Sequence, residues 1–312
     1  MKKIIALLLA LAMCFALVAC GETTPNVDDN NPVVDTPAEA TYTVALAVDT
    51  AFGKNNKVSN TALMLVLDAD NKIVAARVDC AEATPALDEA GALVPQENVA
   101  SKVELGDAYT GMNAGSWAQQ ASAFEAWLVG KTADEIAAAE FTNELIAGCT
   151  MTSSLATFKA LVAEAFASEL KVTFTTSEAV TSGIAFTTVV KSGKGGKVTV
   201  SADVAAVVLA GDKIAAAIID TIEQSFTVEE GALVAGELAA SKNEQGEGYS
   251  GMPAGPWYKQ AAVFCNATVG LTAAELEAFE PVSDALAAAG CTMQNTPAGY
   301  KATMIKAVSY AK

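Results

Sequence analysis

One block of the chain is written twice, and that bounds the fold more tightly than anything else in it. YTGMNAGSWAQQASAFEAWLVGKTADEI (109–136) aligns with YSGMPAGPWYKQAAVFCNATVGLTAAEL (249–276) at a shift of 140 residues. NKIVAARVDCAE (71–82) matches DKIAAAIIDTIE (212–223) at 141, and AGCTM (147–151) returns at 289–293, a shift of 142. Each small change of shift marks a loop. A period this long is too large for a solenoid repeat and signifies tandem domains. The copies run over 42–169 and 183–312, and the Thr-rich segment 170–182 between them reads as a connector or an edge strand.

Within a copy the order of elements is legible. TYTVALAVD, TALMLVLD and KIVAARVDC are short β-prone runs separated by FGKNNK and DADNK, the punctuation of an antiparallel meander. The second copy repeats this, with a hairpin turn at Gly193, Gly195 and Gly196 whose spacing is not that of a phosphate loop. Helices follow. Residues 117–129 place Ala121, Phe124 and Leu128 on one face, and TADE (132–135) and TAAE (272–275) are capping boxes. A last helix from about Ser154 is expected to bury Leu155, Phe158, Leu161, Val162 and Phe166, and Thr296-Pro297 opens its counterpart. The expected fold class is α+β: two tandem homologous domains, each a mostly antiparallel sheet packed with helices.

The first twenty residues stand outside that plan. A basic start (Lys2, Lys3), an apolar run over 4–18 and LVAC at 17–20 read as a lipoprotein signal whose cleavage leaves Cys20 to carry lipid. A plain signal peptide or a short membrane helix is the alternative. Residues 21–41 are rich in Pro and acids and read as a disordered tether. Without Lys2 and Lys3, 17 basic residues face 36 acidic ones, a formal charge of −19. That argues against nucleic acid and against direct binding to anionic lipid. The expected location is the outer face of the cytoplasmic membrane, held by lipid.

The chain contains no His, which removes Ser-His-Asp and Cys-His catalysis and the common zinc patterns. Cys80, Cys149, Cys265 and Cys291 form no CxxC. A Cys149–Cys291 disulfide is compatible with export, but matching places in two repeats favour two small core residues.

AGCTM falls, in both copies, just before the last helix. Free amides and the positive end of a helix suit a phosphate there; a plain N-cap is the competing reading. Residues 144–152, ELIAGCTMT, resemble the flavinylation motif of the FMN-binding domain family: an acid, two free positions, then Ser/Thr-Gly-Ala-Ser/Thr-x-Thr. That family includes flavin-carrying subunits of the Rnf and sodium-pumping NADH:quinone oxidoreductase complexes and cell-surface lipoproteins of Gram-positive bacteria. The resemblance implies that Glu144 is the acid, Gly148 the Gly, Thr150 the second hydroxyl and Thr152 the residue a flavin transferase esterifies to FMN. Ala147 and Cys149 depart from the motif. In the second copy Gly290 and Thr292 remain, while Gln294 replaces the acceptor and Leu286 the acid, so no covalent flavin is expected there.

Tyr109, Met112 and Trp117 recur as Tyr249, Met252 and Trp257, with glycines among them. They read either as a flat slot for an isoalloxazine or as a loop packed on the sheet. Two functions are therefore carried forward. One is an electron-transfer or redox accessory lipoprotein holding FMN at Thr152, with a flavin transferase and a redox partner. The other is a non-enzymatic surface lipoprotein that binds a small molecule or protein partner without flavin. Both read as an electron carrier or binding protein more than as a turnover enzyme.

Overall fold

TALMLVL (61–67) is apolar without alternation because both faces of its strand are covered: every residue of it is buried. The computed structural model describes residues 38–312 except 110–113, 143–144, 251 and 295, and except the side chains of Thr152, Ser153 and Ser154. The signal sequence and most of the tether lie outside the described residues, as do Met112 and Glu144.

The first repeat contributes strands β1 (Ala40–Phe52), β2 (Val58–Leu67), β3 (Ile73–Ala83) and β4 (Gln96–Val99) and helices α1 (Lys102–Leu105), α2 (Trp117–Leu128), α3 (Ala133–Ala138) and α4 (Thr152–Ala167). β5 (Val172–Thr176) follows. The second contributes β6 (Val180–Ser192), β7 (Val198–Ala210), β8 (Lys213–Glu229), β9 (Ala232–Ala235), α5 (Lys242–Gln245), α6 (Trp257–Asn266), α7 (Ala273–Ala278), α8 (Asp284–Ala289) and α9 (Pro297–Ser309). Two antiparallel sheets result, ordered β3-β2-β1-β5 and β4-β6-β7-β8-β9. β5 is an edge strand on β1, whose start at Ala40 takes in the last residues of the segment read as tether; Thr41–Thr175 and Thr43–Thr173 hydroxyl pairs at 3.0 and 3.2 Å line that edge. β4, from the first repeat, pairs with β6 of the second sheet.

Hydrophobic contacts arrange these pieces in four layers. α2 and α4 cover one face of the first sheet through Trp117, Phe124, Leu155 and Phe158. α6 and α9 cover the second sheet through Trp257, Phe264, Tyr300 and Met304. The opposite faces of the two sheets meet each other, with Val44, Leu46, Val48, Met64 and Val66 against Ile184, Phe186, Val204, Val208 and Ile218. Among the described residues, no helix is long and apolar enough to cross a membrane.

Local signals behave as the sequence implies. Thr132–Glu135 and Thr272–Glu275 both close reciprocal capping boxes. The turns GKNNK and GKGGK are one structure: residues three and four are left-handed in both, as Asn55 and Asn56 (φ 59° and 60°) and as Gly195 and Gly196 (φ 73° and 75°). Asn and Gly are the residues that enter this region most cheaply.

The register aligns the repeats rung by rung. Val48, Ala62 and Asp79 stand side by side across the first sheet, and Phe186, Val204 and Asp220 across the second. Three rungs further, Ala45 corresponds to Gly183. A Cβ on Gly183 would run into the carbonyl oxygen of Ala307 and come within 3.0 Å of Ala311 N. The backbone of α9 cannot yield as a side-chain tip would, so Gly183→Ala is expected to destabilise by about 1–3 kcal/mol. Urea unfolding checks this, and a variant as stable as the parent would show that α9 moves freely.

Candidate functional site

The twice-written phrase is a fastener. Gln120 on α2, fully buried, accepts at Oε1 from Thr150 N (2.7 Å) and Thr150 Oγ1 (3.1 Å). Gln260 on α6 does the same for Thr292, at 2.8 and 3.1 Å. Gly148 and Gly290 are left-handed, at φ 80° and 106°. Cys149 and Met151 enter the first core, Cys291 and Met293 the second. Each letter of Gly-Cys-Thr-Met thus has a packing or hydrogen-bonding duty in both repeats. Cys80, Cys149, Cys265 and Cys291 are free and buried, and burial pushes the Cys80 and Cys265 thiols up to about 11 and 12. Inert thiols of this kind are core residues.

After the fastener the repeats diverge. α4 begins at Thr152, one residue past Met151, earlier than the expected start near Ser154. α9 begins only at Pro297, whose counterpart is Leu155, so the first repeat has an extra helical turn over 152–154. Met151, in the N-cap position, makes no side-chain cap. The first amides of α4 therefore receive no acceptor from their own cap residue.

The aromatic block is organised around a lysine that the sequence reading passed over. Lys102, at the start of α1, is buried, with Nζ 4.9 Å from the Tyr109 ring centre and 5.5 Å from that of Trp117. Glu82 meets the same Nζ at 3.1 Å and accepts from Tyr109 OH at 3.1 Å. Burial opposes the Glu82 charge, but Lys57 and Lys102 together draw its carboxyl down to about 2. Trp117 is only 2% exposed and stands edge-on to Phe158. Lys242 repeats the arrangement, 5.0 Å from Tyr249, 5.7 Å from Trp257 and 3.3 Å from Glu223. The available signal was the Ser-Lys-x-Glu phrase at 101–104 and 241–244, a second pair of capping boxes with the same lysine inside. Cation–π contacts of this sort stabilise most when desolvated.

The structure therefore brings Gly148, Thr150 and the start of α4 together. It places Tyr109 and Trp117 against Lys102 in a cation–π cluster, beside a hollow of about 160 Å³ lined by Glu82, Lys102, Trp117 and Phe158. Where the first repeat has Cys80 and Phe158, the second has Thr221 and Tyr300, and there Trp257 Nε1 donates to Tyr300 OH at 3.1 Å and Thr221 Oγ1 donates to Asp203 Oδ1 at 2.8 Å. No group of three or more Cys, Asp or Glu suited to a metal ion occurs among the described residues. No family model, no curated protein and no solved structure matches this chain.

Proposed function

We propose that the protein is a cell-surface lipoprotein, anchored through lipid on Cys20, whose first FMN-binding-like repeat carries FMN on Thr152 and whose second carries none. The observation behind this is the difference in helix start. The common turn leads directly into α4 at Thr152, whereas Gln294 at the matching place precedes α9 by three residues. A phosphate ester on Thr152 lies at the amide-rich, positive end of a helix of 16 residues. Gln120 holds the turn through Thr150, and Gly148 lets the backbone pass close by. Bound FMN would supply one- and two-electron transfer; the chain supplies attachment and electrostatics. Its partners are a flavin transferase and a redox protein at the membrane surface.

Expression with and without a flavin transferase, followed by denaturing electrophoresis, tests this. Flavin fluorescence should stay with the protein band only when the transferase is present, and Thr152→Ala should abolish it. A colourless band under both conditions overturns covalent attachment. The hollow of about 160 Å³ beside Lys102, Trp117 and Phe158 favours a second reading, in which the protein binds a small molecule without flavin.

A further inference from the structure

The two repeats face each other reciprocally, and their two flanks differ in a consistent way. On one flank Lys306 Nζ sits between Glu104 Oε1 and the Phe186 carbonyl oxygen, both at 2.8 Å. Beside it Arg77 Nε donates to Ser182 O at 2.9 Å, and Glu125 pairs with Arg77 at 3.6 Å and with Lys312 at 3.1 Å. Only about 160 Å³ remains open there. On the other flank the repeat alignment puts Ile218 for Arg77, Cys265 for Glu125, Glu164 for Lys306 and Leu170 for Lys312. Three cations and the Glu125 carboxylate are gone, and one carboxylate, Glu164, has been gained. What opens is a pair of adjoining hollows of about 560 and 290 Å³ that share Glu169, Leu170, Ile218, Asn243 and Tyr258, the smaller also lined by Lys171 and Lys259.

Glu244 is the counterpart of Glu104. Both use Oε2 to cap their own helix, from Ser101 N at 2.9 Å and from Ser241 N at 2.6 Å. Glu104 has Oε1 on an ammonium; Glu244 faces Glu164, and neither Glu244 Oε1 nor the Glu164 carboxylate has an ion-pair partner among the described residues. Val48, on the rung that matches Phe186, lines the same hollow, and Leu46, Leu170 and Ile218 give it an apolar floor.

We propose that this cleft binds an aliphatic amine as its ammonium ion, the charge held between Glu244 and Glu164 and the hydrocarbon laid along Leu46, Val48 and Ile218. The first flank shows the same glutamate of the repeat holding an ammonium, supplied there by the chain itself. The second flank keeps that glutamate, the strand beside it and the space; among the described residues no cation pairs with it, Lys259 at the smaller hollow being held by Glu247 at 2.6 Å. Apolar walls with a few convergent polar groups are the usual form of a small-molecule site. The inference stands apart from flavin attachment, since Thr152 does not line the cleft.

The test is calorimetric titration of residues 37–312, which form one compact unit, with 1,5-diaminopentane, 1,5-pentanediol and glutarate. Saturable binding of the diamine alone is expected. Glu164→Lys recreates the ion pair of the other flank and should abolish binding, and Glu244→Gln, which keeps an acceptor for Ser241 N, should weaken it at least about tenfold. Glu164→Gln serves if the lysine variant misfolds, and Glu104→Gln should leave amine binding unchanged. The proposal falls if the diamine gives no saturable heat at millimolar concentration, if the diol binds equally well, or if the Glu164 and Glu244 variants bind like the parent.

Discussion

Replacing Arg77 by isoleucine should lower the unfolding free energy by about 3–5 kcal/mol, the usual effect of breaking a buried ion pair from one side. Arg77 and Glu125 side chains are only 13% and 8% exposed. The guanidinium donates to Ser182 O, to Ala76 O at 2.6 Å and to the backbone oxygen of Lys312. Its planar fork reaches across from the first repeat to two segments of the second, which a lysine could not copy. Burial pulls the Arg77 pKa down while Glu125 pulls it up, so the guanidinium relies on its partner to offset its desolvation. Removing the arginine strands Glu125 with only Val78 N (2.9 Å) and the half-exposed Lys312. The chain also carries its own control, because Ile218 and Cys265 occupy these two places on the opposite flank. Arg77→Ile with Glu125→Cys should regain most of the lost stability, since an apolar pair avoids the desolvation of both ions. Denaturant unfolding of the single and double variants decides it, and a loss below about 1 kcal/mol for the single variant would mean that the pair does not hold the repeats together.

What the sequence announced and what it concealed divide along contact range. The meander, the GKNNK turn and the TADE box depend on residues within one or two turns of each other, and all are found where the text places them. QENV, by contrast, has no apolar alternation to announce that β4 would join the sheet of the other repeat. TALMLVL did carry a signal, since a strand covered on one face alternates; its unbroken apolar run speaks for cover on both faces, while the identity of the second cover, the other sheet, shows only in the fold. Register was hidden as well. The rungs match Val48 to Phe186, a shift of 138, whereas the sequence block around them suggests 140, because the second hairpin is longer by two residues on each strand.

The candidate site was legible in part. The duplicated AGCTM phrase marked the turn, but its holder, Gln120, lies 30 residues away on a helix, where a glutamine reads as surface. Lys102 was missed for the same reason: a lysine reads as solvated until an aromatic pair and Glu82 close over it. The exchange of Lys306 for Glu164 is visible in the alignment of the repeats, yet its meaning requires Glu104 and Glu244, which come from the opposite repeat.

Thermal unfolding should give a higher Tm at pH 5 than at pH 8, and the buried aspartates on matching rungs are the main reason. Asp79 and Asp220 are 0% and 3% exposed. Burial raises both carboxyls from 3.8 to about 7, against amide hydrogen bonds that favour the charge: Cys80 N at 2.7 Å and Val103 N at 3.1 Å for Asp79, Thr221 N at 2.7 Å and Asn243 N at 3.0 Å for Asp220. Asp79 Oδ2 has no partner among the described residues. With a folded pKa above the unfolded one, the native state binds the extra proton, so stability falls as pH rises from about 4 through about 7. Between pH 5 and pH 8 each carboxyl should contribute about 2–3 kcal/mol of that loss. Glu82, drawn down to about 2, is ionised in the fold throughout this window and mostly ionised in the unfolded chain, so it adds only a small opposing slope near pH 5. Asp203, raised to about 6 by burial, and Glu164, raised to about 7 by burial and by Glu244, act in the same direction and leave a residual slope. Asp79→Asn and Asp220→Asn keep an oxygen for the amides and cannot ionise. Each should shrink the difference in Tm between the two pH values, and the double variant should shrink it further; an unchanged difference in the double variant would mean that these aspartates ionise as freely in the fold as in the unfolded chain.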